Sequence, residues 1–277
     1  MKTYLFLTDI PSSVSAIENI AERSDHRVDY LLHSVSGNRP KQIDFRNTKK
    51  LNTISAEKEE IVFYLHGNLL VYVIENFLRL AQNRDIQIIV ILSALSDFYS
   101  HPNNETRTAK AVENLLKNNL FNYKIIKPFI ANNVYEKHLS EYNLKNGNFS
   151  ISLNDFLIPD ENIFSSAVSL SEKETHKNET IYLINEKIIQ DIYGYQNLLK
   201  NNSLIFSISK LIANISPINT LMYQKINIIG AIIKFLENID GLRTLEIIPI
   251  KQNTIIHNAE ANNSIRSNEG IFNNSNK

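Results

Sequence analysis

Apolar and polar residues alternate in blocks along the first half of the chain. "TYLFLT" (3–8) is a short apolar run ending in polar turn residues, the pattern of a buried strand. In "SVSAIENIAERS" the residues Val14, Ile17, Ile20 and Ala21 share one helical face, with Ser13 placed to cap it. "RVDYLLHS" (27–34), "EIVFYLH" (60–66) and "NYKIIKPF" (122–129) read as further strands, the last stopped by Pro128. "IQIIVILSA" (86–94) is apolar throughout and belongs at a sheet centre. Amphipathic helices are predicted between the strands at 68–85 and 105–119, the second with Ala109, Val112, Leu115 and Leu116 on its apolar face. Strands alternating with helices of this length make βαβ units and a parallel sheet, expected here over residues 3–133 with helices on both faces.

After residue 130 the pattern is less regular. A strand is predicted over 179–185, a helix over 187–201, and one or two hydrophobic helices over 219–239. From residue 252 the chain turns polar and Asn/Ser-rich, the composition of a largely disordered tail. The expected organisation is an α/β domain over 1–150, a small C-terminal substrate or lid lobe over 151–251 interleaved with it, and a tail over 252–277.

Composition narrows the function classes. The 277 residues are 43% hydrophobic, enough for a core, and carry 29 basic and 29 acidic groups for zero net charge. That balance gives no global attraction to nucleic acid or to an anionic membrane. With no cysteine there are no disulfides, thiolate nucleophiles or Cys-ligated metals, and the seven histidines lack ligand spacing. "MKTYLFLTDIP" is too short an apolar run for a leader, and "INIIGAIIKFL" (226–236), interrupted by Asn227 and Lys234, is too short to span a bilayer. A cytoplasmic protein acting on a small molecule, without nucleic acid or membrane, is the expectation. No metal is expected.

The stretch "IQIIVILSALSDFYSHPNNETRTAKAVENLLKNNLFNYKIIKPFIANN" (86–133) carries a family resemblance. Its strand followed by Ser93, its helix with Lys110, and its strand ending Lys127-Pro128 with Asn132 and Asn133 beyond resemble the NmrA-like branch of the atypical short-chain dehydrogenase/reductases. "ETIYLIN" (179–185) is similar to that family's late strand, and the resemblance runs over roughly 3–240. It implies an α/β fold, a Rossmann-like doubly wound parallel sheet with a small C-terminal substrate lobe. The family's first turn, T-G-A-T-G-x-x-G, aligns from Thr8 and meets Asp9, Ser12 and Ser15 at its three glycines. Those glycines allow the tight turn and the close approach of backbone to pyrophosphate. Asp9 instead offers a carboxylate to a dianion, and Pro11 lacks an N–H. His33 stands where the family often has an arginine for a 2′-phosphate, while "IDF" (43–45) resembles its adenine-side Asp-Phe. Only if a nucleotide binds would Thr8, Ser12, His33 and Asp44 touch it. No cofactor is expected, or NADP weakly, with a dissociation constant on the order of millimolar, about 4 kcal/mol short of micromolar binding.

The resemblance also frames the candidate chemistry. In the wider superfamily a Ser and a Tyr-x-x-x-Lys move protons; here Ser93, Thr106 and Lys110 fall at that spacing, with threonine too weak an acid for the tyrosine's part. Lys110 reads equally as a solvated helix lysine. "LSDFYSHPNN" (95–104) follows the central strand at the carboxyl edge, where open α/β sheets bind ligands, and brings Asp97, Tyr99 and His101. His66, in "YLHGN", ends another strand and is the leading acid/base candidate, with a capping histidine as the plain alternative. Gly67 beside it suits a close backbone approach. One pocket is therefore predicted, lined by His66, Ser93, Tyr99 and Asn132, with His101 and Asn133 as further substrate contacts, capped by 151–240. Catalytic parts fall to His66, Ser93, Tyr99 and Lys110.

The functional expectation is a small-molecule enzyme of a specialised biosynthetic pathway, using cofactor-independent acid/base chemistry such as cyclisation, dehydration or isomerisation. Two alternatives stand beside it. One is an NAD(P)H-dependent reductase with an unusual phosphate loop. The other is a non-catalytic regulatory or partner-binding protein; the apolar 221–236 helix is then its contact surface, or that of a homodimer.

Overall fold

In a computed structural model, the structure describes residues 1–36, 39–80, 85–98, 104–119, 122–131, 143–146, 149–152, 156–173, 178–191, 193–194, 230–232, 234–242 and 244–249. The first strand, β1 (Thr3–Thr8), is buried from Tyr4 onward and lies inside the sheet. It is followed by a 3-10 turn (Pro11–Ser13) and by α1 (Val14–Arg23), whose Ile17 and Ile20 face inward. Then come β2 (Arg27–His33), β3 (Gln42–Ile43), α2 (Thr48–Ile54), β4 (Glu60–Tyr64) and α3 (Gly67–Leu80). The central β5 (Gln87–Ile91) leads into the short α4 (Leu95–Phe98), α5 (Asn104–Lys117) and β6 (Asn122–Pro128).

Two small pairs lie outside the main sheet. β7 (Ile130–Ala131) runs parallel to β10 (Leu157–Ile158), and β8 (Asn143–Asn146) pairs antiparallel with β9 (Phe149–Ser152). The helix α6 (Asp160–Glu172) precedes β11 (Glu179–Asn185), α7 (Glu186–Gln190) and β12 (Leu245–Ile248), with residues 230–232 and 234–238 also helical.

Eight strands form one sheet in the order β12-β11-β6-β5-β4-β1-β2-β3, and every pairing in it is parallel. Ile88 pairs with Tyr123 and Val90 with Ile125, so the parallel register expected of the central strands holds. Read from the other edge, the order 3-2-1-4-5-6 is the doubly wound one, with its switch point between β1 and β4.

Burial on both faces explains the unbroken apolar runs. One face packs Leu5, Leu7, Phe63, Val90 and Ile125 against α3 and α5; the other packs Phe6, Val62, Ile89 and Ile181 against α1 and α6. On this second face Phe164 of α6 meets Phe6 and Tyr64 edge-on, with ring centroids 5.3 and 5.2 Å apart. A third apolar cluster sits past the carboxyl ends of β5, β6 and β11. There the Phe129 and Phe235 rings lie 4.2 Å apart, tilted at 45°, and Phe98 and Phe156 close around them.

Some local expectations change. Ser13 stands at the N-cap position of α1, but its hydroxyl makes no cap hydrogen bond there. It donates to the Ile10 carbonyl at 2.8 Å and lies 3.1 Å from Thr8 Oγ1, because the Pro11 turn folds it inward. The stretch 95–104 begins as helix, α4, where a loop was expected. Ser93 Oγ accepts the Leu95 N–H at 3.3 Å and starts that turn. Gly67 holds φ +50° with open space where a Cβ would sit, so the left-handed turn requires glycine and no close approach does. Past Gln190, the predicted helix 187–201 is described only at 191 and 193–194, and the predicted tail 252–277 lies outside the described residues. No helix among the described residues is long and apolar enough to cross a membrane.

Candidate functional site

The parallel order brings the residues that follow β1 and β4 side by side at the switch point. Thr8 pairs with Tyr64, so Asp9 and His66 leave the sheet as neighbours. Asp9 reaches across the gap. Its Oδ2 accepts the His66 backbone N–H at 3.2 Å, and its Oδ1 lies 3.1 Å from His66 Nδ1. The carboxylate is mostly covered (18% exposed) while the imidazole stays half open (48%).

Each partner shifts the other. The Asp9 hydrogen bond, against the desolvation of the ring, raises the His66 pKa above its ordinary value, and the negative charges of Glu105 and Asp160 add to the rise. Burial pushes Asp9 upward, but the side-chain bond and charge of His66 outweigh it and leave the carboxyl below its usual range. An ionised carboxylate only accepts, so Nδ1 carries the proton and Nε2 is left for chemistry. Among the described residues Nε2 has no hydrogen-bond partner.

Beneath this pair lies Tyr64, its ring 6.3 Å from that of His66 and its hydroxyl donating to Asp160 Oδ1 at 3.4 Å. Burial, reinforced by the Asp160 charge, drives the phenol well above its ordinary pKa. Tyr64 therefore holds Asp160, the first residue of α6, and is no proton donor.

A second polar cluster crosses the sheet between β6 and β11. Lys127, with a side chain only 2% exposed, places Nζ 2.6 Å from both Asp97 oxygens and 2.7 Å from Glu113 Oε1. Tyr182 donates to Asp97 Oδ2 at 2.7 Å, and its phenol is raised strongly, by burial first and the Asp97 charge second. All three ammonium protons have carboxylate partners. The cluster fastens α4 and α5 to the sheet.

The remaining sequence candidates divide. His66 and Ser93 emerge from adjacent strands at the same sheet edge, but Ser93 is committed to α4: its carbonyl also accepts Ser96 Oγ at 2.7 Å. Lys110 is exposed on α5. Tyr99, His101, Asn132 and Asn133 lie outside the described residues. Of the nucleotide positions, Thr8 is fully buried and accepts the Ile10 N–H at 3.0 Å, while Ser12 is exposed. His33 Nδ1 accepts the Phe45 N–H at 3.1 Å. Asp44 is clamped by Arg46, whose side-chain hydrogen bonds pull its pKa down to about 2.

Asp9 is the residue that sequence reasoning set down only as an obstacle. The signal was present, since it follows β1 directly as His66 follows β4, and a 3-2-1-4 order makes those positions neighbours.

No family model and no curated protein sequence matches the chain. Solved structures do. AtPrR2 with NADP+ and (+)pinoresinol aligns over 94% of this chain and 83% of its own, with TM-score 0.52 and 11% identity. This is a Rossmann-like fold. A nucleoside-diphosphate-sugar epimerase from Staphylococcus aureus covers 66% of this chain and 71% of its own (TM-score 0.46, 16% identity). The Bordetella bronchiseptica enzyme WbmH in complex with NAD+ covers 66% and 75% (TM-score 0.46, 13% identity). At such identities the likeness is one of fold.

That fold commonly holds a nicotinamide dinucleotide with its pyrophosphate over the first turn, on free backbone N–H groups. Here the Ile10 N–H goes to Thr8 Oγ1, the Ser13 N–H to the Ile10 carbonyl and the Val14 N–H to the Pro11 carbonyl. Pro11 has none to give. With the Asp9 carboxylate beside them, the residues of this turn do not fit a pyrophosphate.

Proposed function

We propose that the chain is a small-molecule enzyme of the NmrA-like branch of the short-chain dehydrogenase/reductase fold, moving protons through His66 without a nicotinamide cofactor. The Asp9–His66 pair carries the reading. A carboxylate held on Nδ1 fixes the ring's orientation and tautomer and the ring stays half exposed, so that neutral Nε2 is left to act as a base. Once it has taken a proton from a substrate carbon or oxygen, the imidazolium returns it to a second substrate atom. That sequence serves cyclisation, isomerisation and, with the proton delivered to a leaving hydroxyl, dehydration. Each is redox-neutral, and each suits a turn that does not fit a dinucleotide. A specialised biosynthetic pathway in the cytoplasm is the setting we propose, on the family resemblance of Ser93, Lys110 and Lys127-Pro128.

The test is untargeted mass spectrometry of small-molecule extracts incubated with wild type and with His66→Ala, with no nicotinamide cofactor added. Wild type should convert a compound to an isomer or to a product lighter by one water, and His66→Ala should do so about 10²–10⁴-fold more slowly at an unchanged Tm. A conversion that adds or removes two hydrogens and needs NADPH would overturn the proposal.

A further inference from the structure

An anion already stands at the switch point, and it belongs to the chain. Asp9 accepts two hydrogen bonds from His66, one from its backbone N–H and one from its ring, and is largely withdrawn from solvent. These donors stand at the carboxyl end of β4, across the switch point from the first turn, where open α/β sheets present N–H groups to ligand phosphates. Three N–H groups of the first turn are meanwhile engaged inside it, Ile10's by Thr8 Oγ1, Ser13's by the Ile10 carbonyl and Val14's by the Pro11 carbonyl.

We propose that Asp9 is an internal surrogate for a ligand phosphate. It fills the anion position of the crevice and excludes phosphorylated molecules, nucleotides included. The crevice is thereby reserved for substrates that carry no phosphate. Two facing charges reinforce the exclusion. Asp160 from α6 and Glu105 from α5 act on His66 as negative charges, while the Tyr64 phenol from β4 stays neutral and adds none. His66 is the cation that Asp9 has already engaged. The inference rests on this geometry and not on the proposed reaction.

Inorganic pyrophosphate and NADPH are the probes. Titrated into the full chain at pH 6, where the imidazole is largely protonated, pyrophosphate should leave the His66 ring resonances of wild type unmoved up to about 1 mM. Asp9→Asn keeps the side chain's shape and removes its charge, and Asp9→Gly clears the position. In both, pyrophosphate should shift the His66 resonances and bind at least about tenfold more tightly, since a charge within a few ångströms of the anion is gone. Wild-type His66 shifting at micromolar pyrophosphate would overturn the inference, and so would variants that bind no better than wild type. Should either variant fail to fold, the other and the wild-type titration still decide. His66→Ala separates this inference from the proposed function. Micromolar NADPH binding by wild type would overturn both. Full activity of His66→Ala, with pyrophosphate and NADPH still excluded from wild type, would remove the reaction alone and leave the surrogate anion standing.

Discussion

Replacing Lys127 by Met tests how the sheet holds α4 and α5. Methionine keeps most of the stem's bulk, so the change removes mainly the charge. Nζ sits 2.6 Å from both Asp97 oxygens and 2.7 Å from Glu113, behind a side chain 2% exposed. Removing one member of a buried pair costs about 3–5 kcal/mol, because the partner is left buried and unpaired. Two features of the site pull the cost toward the lower end. Asp97 (27% exposed) keeps the Tyr182 hydroxyl at 2.7 Å, and Glu113 (21%) keeps Lys117 at 3.8 Å. We therefore expect a loss of about 3 kcal/mol at neutral pH, a fall in Tm on the order of 10 °C. Asp97→Asn is the control. There the ammonium retains Glu113 and the amide can still accept from Tyr182, so the cost should be about 1–2 kcal/mol. Urea unfolding monitored by circular dichroism reads both. A Lys127→Met loss below about 1 kcal/mol, or an Asp97→Asn loss larger than that of Lys127→Met, would refute the view that the lysine is the linchpin of the cluster.

Three further outcomes follow from buried charges elsewhere. Glu60 is 3% exposed, and burial raises its carboxyl despite Lys2 at 2.7 Å, so Glu60→Gln should change stability at pH 7 by less than about 1 kcal/mol in the same unfolding assay. Lys124, 1% exposed, donates to the carbonyl of Leu170 in the last turn of α6 and to that of Lys173, the helix's C-cap; Lys124→Met should cost about 1–3 kcal/mol and speed hydrogen exchange at the carboxyl end of that helix. For the Asp9–His66 pair the pH dependence has a definite shape. Asp9 is depressed, so its contribution is complete above its ordinary 3.8 and fades as pH falls through the lower folded value. His66 is raised, so its contribution is complete below its ordinary 6.5 and fades as pH rises through the higher folded value. The stability difference between wild type and Asp9→Asn should peak between these limits, and a difference growing toward pH 9 would contradict it.

The strands were legible because burial on both faces writes itself as apolar runs. β1 (Thr3–Thr8) and β11 (Glu179–Asn185) have the ends their sequences predict, and α1 (Val14–Arg23) lies within the predicted 13–24. What stayed hidden depends on distant chain. In "NYKIIKPF" both lysines look like solvent-facing punctuation, yet Lys124 is drawn inward by the end of α6 and Lys127 by two carboxylates from α4 and α5. Neither partner adjoins them in sequence. Ser13 was legible as a cap and acts otherwise, since Pro11 opens a 3-10 turn that buries its hydroxyl against Thr8. The site was half visible. His66 stood out as a polar residue ending an apolar strand, whereas Asp9 gained a partner only once the sheet order set β1 beside β4.

The measurement that bears most directly on the site is a pH titration of the His66 ring by ¹⁵N-resolved NMR, on wild type and Asp9→Asn. We predict a wild-type midpoint above the ordinary 6.5, a neutral form protonated on Nδ1, and a fall toward 6.5 when Asp9 is neutralised. A wild-type midpoint at or below 6.5, or a neutral ring protonated on Nε2, would mean that Asp9 does not hold His66 as an acid/base group.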